Sequence, residues 1–88
     1  MADYSVTFAR SARKELQDLA PSIAERIIDH IEALKENPRP AGSIKLQGGK
    51  QLWRIRIGDY RVVYAIDDSS RTVDVSVIRH RKDAYRGL

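Results

Sequence analysis

The sequence predicts an α+β fold, in which an N-terminal strand and a helical hairpin precede a sequential antiparallel β-sheet, with the helices packed on one face. Three observations predict it. Apolar and polar residues alternate near the N-terminus, two stretches of helical periodicity follow each other, and the later strand-like segments are consecutive. The chain has 88 residues, so we expect a single domain over residues 1–88.

The first half of the chain contains the predicted strand and both helices. Residues 4–8 alternate in the manner of a half-buried strand. Apolar residues near helical spacing predict a first helix from about Ala9 to Leu19. Pro21 suits the first turn of a second helix, and Asn37-Pro38 is a stop signal for it. A short strand is predicted at residues 44–46, and the last strand should begin at Val73.

The stretch LWRIRIGDYRVVY, residues 52–64, is typical of a β-hairpin. Gly58-Asp59 is a plausible two-residue turn, with glycine at its first central position. That register places Arg56 opposite Arg61, with Arg54 on the same face. The other face would pack on the helices and carries Trp53, Ile55, Ile57, Tyr60, Val62 and Tyr64.

This arrangement of arginines is unfavourable unless something compensates for it. Two unit charges about 5 Å apart repel by roughly 0.8 kcal/mol even at the dielectric constant of water. An anionic ligand would explain the pair. Alternating arginines on one strand are also typical of a solvated face, and the carboxylates of Asp67, Asp68 and Asp74 could neutralise part of the charge.

Composition narrows the class of partner. The net charge is +4, and eight arginine and lysine residues lie between Arg54 and the C-terminus, against five aspartates. This excess favours an acidic partner, either nucleic acid or an acidic protein. The chain has no cysteine, which excludes disulfides and thiolate metal sites and fits a reducing compartment. We expect no metal and no cofactor. No apolar run approaches the ~20 residues of a membrane span, and no signal peptide is evident.

The motifs ENPRP, KLQGG, GDYRVVY and IRHRKDAY, taken with the order of elements, resemble the RelE/ParE superfamily of toxin–antitoxin toxins, in particular its RelE side. The resemblance covers nearly the whole chain. It implies a RelE-like fold and a cytoplasmic, metal-independent endoribonuclease that cleaves messenger RNA in the ribosomal A site. It also implies a cognate RelB-like antitoxin, contact with operator DNA only through the antitoxin complex, and no membrane association.

The resemblance also assigns residues. Arg54 and Arg56 occupy the two basic positions before the turn, Arg61 is the arginine of the GxYR motif, and Arg81 and Tyr85 are the C-terminal pair. The chain departs from the best-known member, which has lysines at the first two positions. The spacing between Arg81 and Tyr85 is also shorter here.

Cleavage by a 2′-OH requires a base, an acid and stabilisation of negative charge. Arginines suit the third task and are poor bases, so we interpret Arg54, Arg56, Arg61 and Arg81 as a phosphate clamp. Tyr85 could stack on a base or orient the 2′-OH. Lys45, Lys50 and Lys82 are candidates for contacts with the RNA backbone.

His80 is the candidate general base or acid, because an unperturbed histidine titrates near neutrality. If the last strand is regular and packs Val73, Val75 and Val77 inward, His80 falls on the same side as Arg61. A bulge would turn His80 away. The alternative is that His80 is an ordinary surface residue, as we expect for His30 on the second helix.

Two other functions remain open from the sequence. A ParE-type toxin would inhibit DNA gyrase by contact and cut nothing. A catalytically inactive chain would only repress its own operon together with its antitoxin. The fold is compatible with all of these functions and cannot separate them. The feature that discriminates is the set formed by Arg54, Arg56, Arg61, Arg81 and Tyr85, which a ParE-type toxin would not need.

Overall fold

A computed structural model describes residues 3–47 and 51–80 of the chain. Within these ranges the elements are β1 (Ser5–Phe8), α1 (Arg10–Asp18), α2 (Pro21–Ala33), β2 (Ile44–Lys45), β3 (Leu52–Ile57), β4 (Tyr60–Asp67) and β5 (Thr72–His80). The strands form one sheet in the order β1-β5-β4-β3-β2. The predicted α+β class is confirmed.

The two helices form the second layer and cover one face of the sheet. Both helices begin within one residue of their predicted starts, and Pro21 is the first residue of α2, where its missing N–H costs no hydrogen bond. α2 ends at Ala33, before the predicted stop at Asn37-Pro38. Ile27, Ile31 and Leu34 point from α2 and its C-terminal end into the core. No helix in the described ranges is long and apolar enough to cross a membrane.

The N-terminal strand makes the sheet mixed rather than purely antiparallel. β2 to β5 follow the predicted sequential antiparallel order. β1 instead pairs with β5 in parallel, from Ser5↔Thr72 to Phe8↔Val75. Parallel neighbours need a crossover connection, and here nearly the whole chain provides it. Alternation within a strand does not specify which strand it pairs with, so the sequence pattern could not predict the pairing of β1 with β5.

The register of the β3–β4 hairpin is confirmed over its full length. Ile57 pairs with Tyr60 and Arg56 with Arg61, and the pairing continues in step to Leu52 and Ala65. The turn works because Gly58 adopts a positive φ of 59°, a conformation that side chains with a Cβ disfavour.

The register of β4 with β5 contains one extra residue. Val63 pairs with Val77, and the next residue, Tyr64, pairs with Val75, so Ser76 has no counterpart on β4. Such an insertion is a β-bulge, and it exchanges the two faces of the strand beyond it. The Ser76 hydroxyl donates a hydrogen bond to the carbonyl oxygen of Val63 at 3.2 Å, which holds the bulge to β4.

Because of the bulge, the predicted inward position of Val77 is wrong. Val75 faces the helices, Val77 lies on the other face opposite Val63, and Ile78 returns to the core with 1 % exposure. The buried cluster between the layers consists of Ala12, Ile27, Ile31, Leu34, Ile55, Ile57, Val62, Tyr64, Ile66, Val73, Val75 and Ile78.

Tyr64 brings the only hydroxyl of that cluster. Its hydroxyl donates a 2.7 Å hydrogen bond to the carbonyl oxygen of Pro38, just beyond the end of α2. Burial raises the pKa of Tyr64 to about 12. The bond satisfies a buried polar group and fixes the loop after α2 against the sheet.

A second polar link lies at the surface, near the β4–β5 turn. The carboxylate of Asp68 accepts a 2.7 Å hydrogen bond from the Tyr4 hydroxyl and pairs with the Arg39 guanidinium at 2.9 Å. The hydrogen bonds from Arg39 and then Tyr4 hold the pKa of Asp68 below its usual value. Arg39 also lies 5.3 Å from the centre of the Trp53 ring. We call these four residues the surface clasp, because they join the N-terminus, the loop after α2 and the β4–β5 turn.

Deleting Ser76 should leave the core intact. The deletion removes only the residue without a counterpart on β4, so regular alternation still directs Val75 and Ile78 inward, and we expect the free energy of unfolding to change by no more than about 1 kcal/mol. Ser76→Ala keeps the residue count and removes one part-buried hydrogen bond, which should cost about 1 kcal/mol. Urea unfolding followed by the fluorescence of Trp53 measures both. A loss of about 2–5 kcal/mol on deletion, the scale of losing a large apolar side chain from the core, would contradict the assignment of Ser76 as the extra residue.

Candidate nucleic-acid interface

Three arginines stand side by side across the face of the sheet that the helices leave uncovered. Arg56 of β3 is directly opposite Arg61 of β4, and Arg61 is directly opposite Arg79 of β5. Neighbouring strands are about 4.8 Å apart, so this arginine row spans about 10 Å between its outer backbones. Arg54 lies on the same face two residues from Arg56 and opposite Val63. The predicted grouping of Arg54, Arg56 and Arg61 on one face is therefore observed.

The arginine row combines exposed charge with a partly buried centre. Arg56 is exposed, whereas Arg54, Arg61 and Arg79 are half-buried. The Nε atom of Arg61 is shielded from water. Among the residues that the structure describes, no hydrogen bond or ion pair holds the side chains of Arg54, Arg56 or Arg79.

The carboxylates that could have neutralised the row are bonded at the far end of the sheet. Asp67 accepts hydrogen bonds from the hydroxyl of Ser69 and the backbone of Ser70, which lower the pKa of Asp67. Asp74 accepts a 2.7 Å hydrogen bond from Thr7. Asp68 belongs to the surface clasp. Within the described residues, none of these three carboxylates forms an ion pair with an arginine of the row.

The expected place of His80 beside Arg61 is also wrong. His80 pairs with Tyr60, and their rings meet edge to face with centroids 5.1 Å apart. The bulge at Ser76 causes this, because it reverses the faces of β5 before residue 80 is reached. His80 thus lies on the side of the sheet that faces the helices, and its role as general base is untested.

The remaining sequence candidates divide into two groups. Lys45 is exposed but pairs with Trp53, so it lies on the face opposite Arg54. Lys50, Arg81, Lys82 and Tyr85 lie outside the described residues, and their roles stay predictions. Tyr60 packs against the core and His30 is exposed, both as expected.

Arg79 is the residue that sequence reasoning missed as a site candidate. Regular alternation from Val73 would have placed Arg79 toward the helices, and nothing in the letters around Ser76 marks a bulge. The only available signal was the concentration of basic residues from Arg79 onward.

The interface can bind phosphate and stabilise negative charge on it. Guanidinium groups form bidentate hydrogen bonds with phosphate oxygens, and a row of them matches a polyanion better than a single charge. Within residues 3–47 and 51–80, no three histidine, aspartate or glutamate side chains cluster as a metal site would require.

Removing one charge from the row should weaken the dependence of stability on salt. For the parent protein, an increase from 50 to 500 mM NaCl screens the repulsion between the arginines and should stabilise the fold by up to about 1 kcal/mol. In Arg56→Thr this gain should shrink, with stability at low salt equal to or above that of the parent. Urea unfolding at the two salt concentrations measures the difference.

The control for that measurement is Arg13→Ala, which removes the same charge from the exposed side of α1. Its salt response should match that of the parent. An Arg56→Thr protein with the parental salt response would show that the row is already neutralised within the chain.

Comparison with known proteins agrees with this architecture. The family model described as the ParE toxin of the type II toxin–antitoxin system parDE matches residues 6–85. The toxin RelE of Mycobacterium tuberculosis is 36% identical over 84 residues, covering 94% of this chain and 87% of that protein.

Solved structures give the same result. The RelE–RelB complex of Pyrococcus horikoshii contains a chain with a TM-score of 0.81 and 28% identity, covering 90% of this chain and 96% of that one. The RelBE2 toxin–antitoxin complex of Mycobacterium tuberculosis contains a chain with a TM-score of 0.78 and 30% identity, covering 90% and 99%. The chain belongs to the RelE/ParE superfamily of type II toxin–antitoxin toxins, and its relatives place it on the RelE side of that superfamily.

Proposed function

We propose that this toxin is a ribosome-dependent endoribonuclease that cleaves messenger RNA in the ribosomal A site and so inhibits translation. The observation that carries the proposal is the arginine row with Arg54 beside it, on the face of the sheet opposite α1 and α2. Cross-strand pairs of like charge oppose folding. Binding of phosphate would offset the repulsion and would explain the arrangement. The curated relative named toxin RelE supports the same assignment.

In this mechanism the 2′-OH of one nucleotide attacks the adjacent phosphate, and the 5′ oxygen leaves. The attacked phosphorus passes through a pentavalent state with extra negative charge. Arg61 occupies the centre of the row and is the residue we assign to the oxygens of the cleaved phosphate. Its half-buried position strengthens such an interaction, because charges attract more strongly where water is partly excluded.

Proton transfer needs a different group, since a guanidinium is hardly ever deprotonated. His80 lies on the opposite face of the sheet, against Tyr60, so the proposal does not use it as the base. Arg81 and Tyr85, which the resemblance assigns to the same site, complete the proposed set together with groups of the ribosome and the substrate. No metal ion takes part in the proposal.

The partner that silences the toxin is, in this proposal, a RelB-like antitoxin. The similar Pyrococcus horikoshii chain is described in a complex with RelB. With a net charge of +4 and a concentrated cationic face, this chain favours an acidic or amphipathic segment that folds as it binds. We further propose a cytoplasmic location, where the ribosome and messenger RNA are found.

One observation favours a second function. The matching family model is described as a ParE toxin, and a ParE-type chain would inhibit DNA gyrase without cutting RNA. The arginine row distinguishes the two, because an inhibitor that acts by contact has no need for three aligned phosphate-binding groups.

Arg61→Ala should abolish most cleavage while leaving the fold intact. We expect the rate to fall by roughly 10²–10³-fold, which is the effect of losing one donor to the transition state. The measurement is translation in vitro with and without the protein, followed by primer extension on the message. Arg13→Ala is the control of equal charge and should cut at the parental rate.

The same experiment separates the alternatives. Cuts that appear only on translated message support the proposal, and intact message together with inhibited DNA supercoiling would support the gyrase reading. His80→Gln belongs in the set. A parental rate is expected, and a loss of a hundredfold or more, the scale of general acid–base catalysis, would restore His80 as the base.

Expression of the chain alone should stop the growth of a bacterial host, and co-expression of its RelB-like antitoxin should restore growth. Toxicity should require Arg61, so Arg61→Ala provides the matched control. Normal growth with abundant folded parent protein would contradict the toxin activity.

A further inference from the structure

We propose that Arg79 binds the messenger phosphate adjacent to the one that is cleaved. This inference rests on the proposed function and deepens it, since it names how the substrate strand lies on the site. The inference is based on the register of β4 with its two neighbouring strands. Arg61 has an arginine directly opposite it on each neighbouring strand, Arg56 on β3 and Arg79 on β5.

The geometry of the row suits a strand that crosses the sheet. A stacked nucleic-acid strand carries one phosphate per ~3.4 Å of its axis, so a row about 10 Å long reaches more than one phosphate of the same strand. With the cleaved phosphate at Arg61, the neighbouring phosphates on either side fall toward Arg56 and Arg79. Arg79 is half-buried, which limits the freedom of its guanidinium and favours a defined contact.

The Ser76 bulge is what brings Arg79 into the row. If Ser76 were paired in a regular strand, the alternation that buries Val73 and Val75 would direct Arg79 toward the helices. With it, Ile78 fills the core and Arg79 lies opposite Arg61. A further cation beside Arg61 adds repulsion to the folded protein, and the carboxylates of β4, β5 and their turn are bonded at the other end of the sheet.

A purely structural role for Arg79 would act through Glu15. The pairing of β1 with β5 ends at Val75, and beyond it a cavity of about 80 Å³ is lined by Ser11, Glu15 and Arg79 among others. This space is too small for a nucleotide. Within the described residues no ion pair joins Glu15 to Arg79. If Arg79 nevertheless had a structural role at this cavity, substitutions of Glu15 and of Arg79 would both lower the stability of the protein, and neither would weaken RNA binding.

The test uses the full chain and a labelled hexanucleotide RNA in which every 2′-OH is methylated, so that it binds but is not cut. For Arg79→Gln we expect roughly tenfold weaker binding, the scale of a lost hydrogen bond to a charged group. We also expect the slope of log affinity against log salt to fall by about one. Arg79→Lys should keep the slope, and Arg13→Ala should leave both affinity and slope unchanged.

Position is tested by neutralising one phosphate at a time with a methylphosphonate. At one phosphate, next to the one where the neutral linkage abolishes the effect of Arg61→Ala, it should abolish the effect of Arg79→Gln, because the two changes remove the same interaction. At the other positions the effects of the two changes should add. Additive effects at every position would overturn the proposal.

A cleavage assay on programmed ribosomes completes the set. Arg79→Gln should raise the protein concentration needed for half-maximal cleavage about tenfold, with a smaller effect on the maximal rate than that of Arg61→Ala. If the parent binds the RNA through Arg79 but cuts no message, the proposed function fails and the binding assignment stands. If the parent cuts and Arg79→Gln matches it in affinity, slope and rate, the binding assignment fails and the proposed function stands.

Thermal unfolding excludes the structural explanation. Arg79→Gln and Arg79→Lys should unfold within a few degrees of the parent, as substitutions outside the core usually do. Equal destabilisation by Arg79→Gln and Glu15→Gln, with RNA binding retained in both, would assign Arg79 to the cavity beside α1 and overturn the proposal.

Discussion

The extra residue in β5 is the constraint on which both the core and the cationic face depend. A regular strand places residues of the same parity on one face, yet the core needs both Val75 and Ile78. Only an insertion between them satisfies both. Ser76 supplies it and is held by its hydrogen bond to Val63. The same insertion turns Arg79 away from the helices, so the packing of the core and the composition of the arginine row are set by one irregularity.

The uncovered face of the sheet is divided along its length by charge. Aspartates occupy the end near the β4–β5 turn, where hydroxyl groups, Tyr4 and Arg39 satisfy them. Arginines occupy the other end. Val63 lies between these ends and is only 7 % exposed, although it is on the face opposite α1 and α2. Arginine side chains carry apolar stems that shield such a residue while their guanidinium groups remain available to a ligand.

The parts of the structure that could be predicted from the sequence are those with local causes. The turn at Gly58 fixes its own hairpin register, and the register places Arg56 opposite Arg61. Pro21 starts its helix for an equally local reason. The position of His80 could not be predicted, because the letters around Ser76 are compatible with regular alternation and the bulge is favoured only by the core that Ile78 fills. The parallel pairing of β1 likewise depends on the assembled sheet.

The parallel pairing of β1 with β5 also determines when the sheet can be completed during folding. β1 is synthesised first, but its partner β5 contains the last described residues of the chain, so contacts between them close a loop of more than sixty residues. A ribosome adds about 5–20 residues per second, and through most of that time the N-terminal strand has no neighbour to pair with. The arginine row is assembled in the same late step, because it needs β3, β4 and β5 together. The nascent chain therefore carries no complete phosphate-binding face until β5 has been synthesised, and a partner that recognises this face cannot bind it earlier.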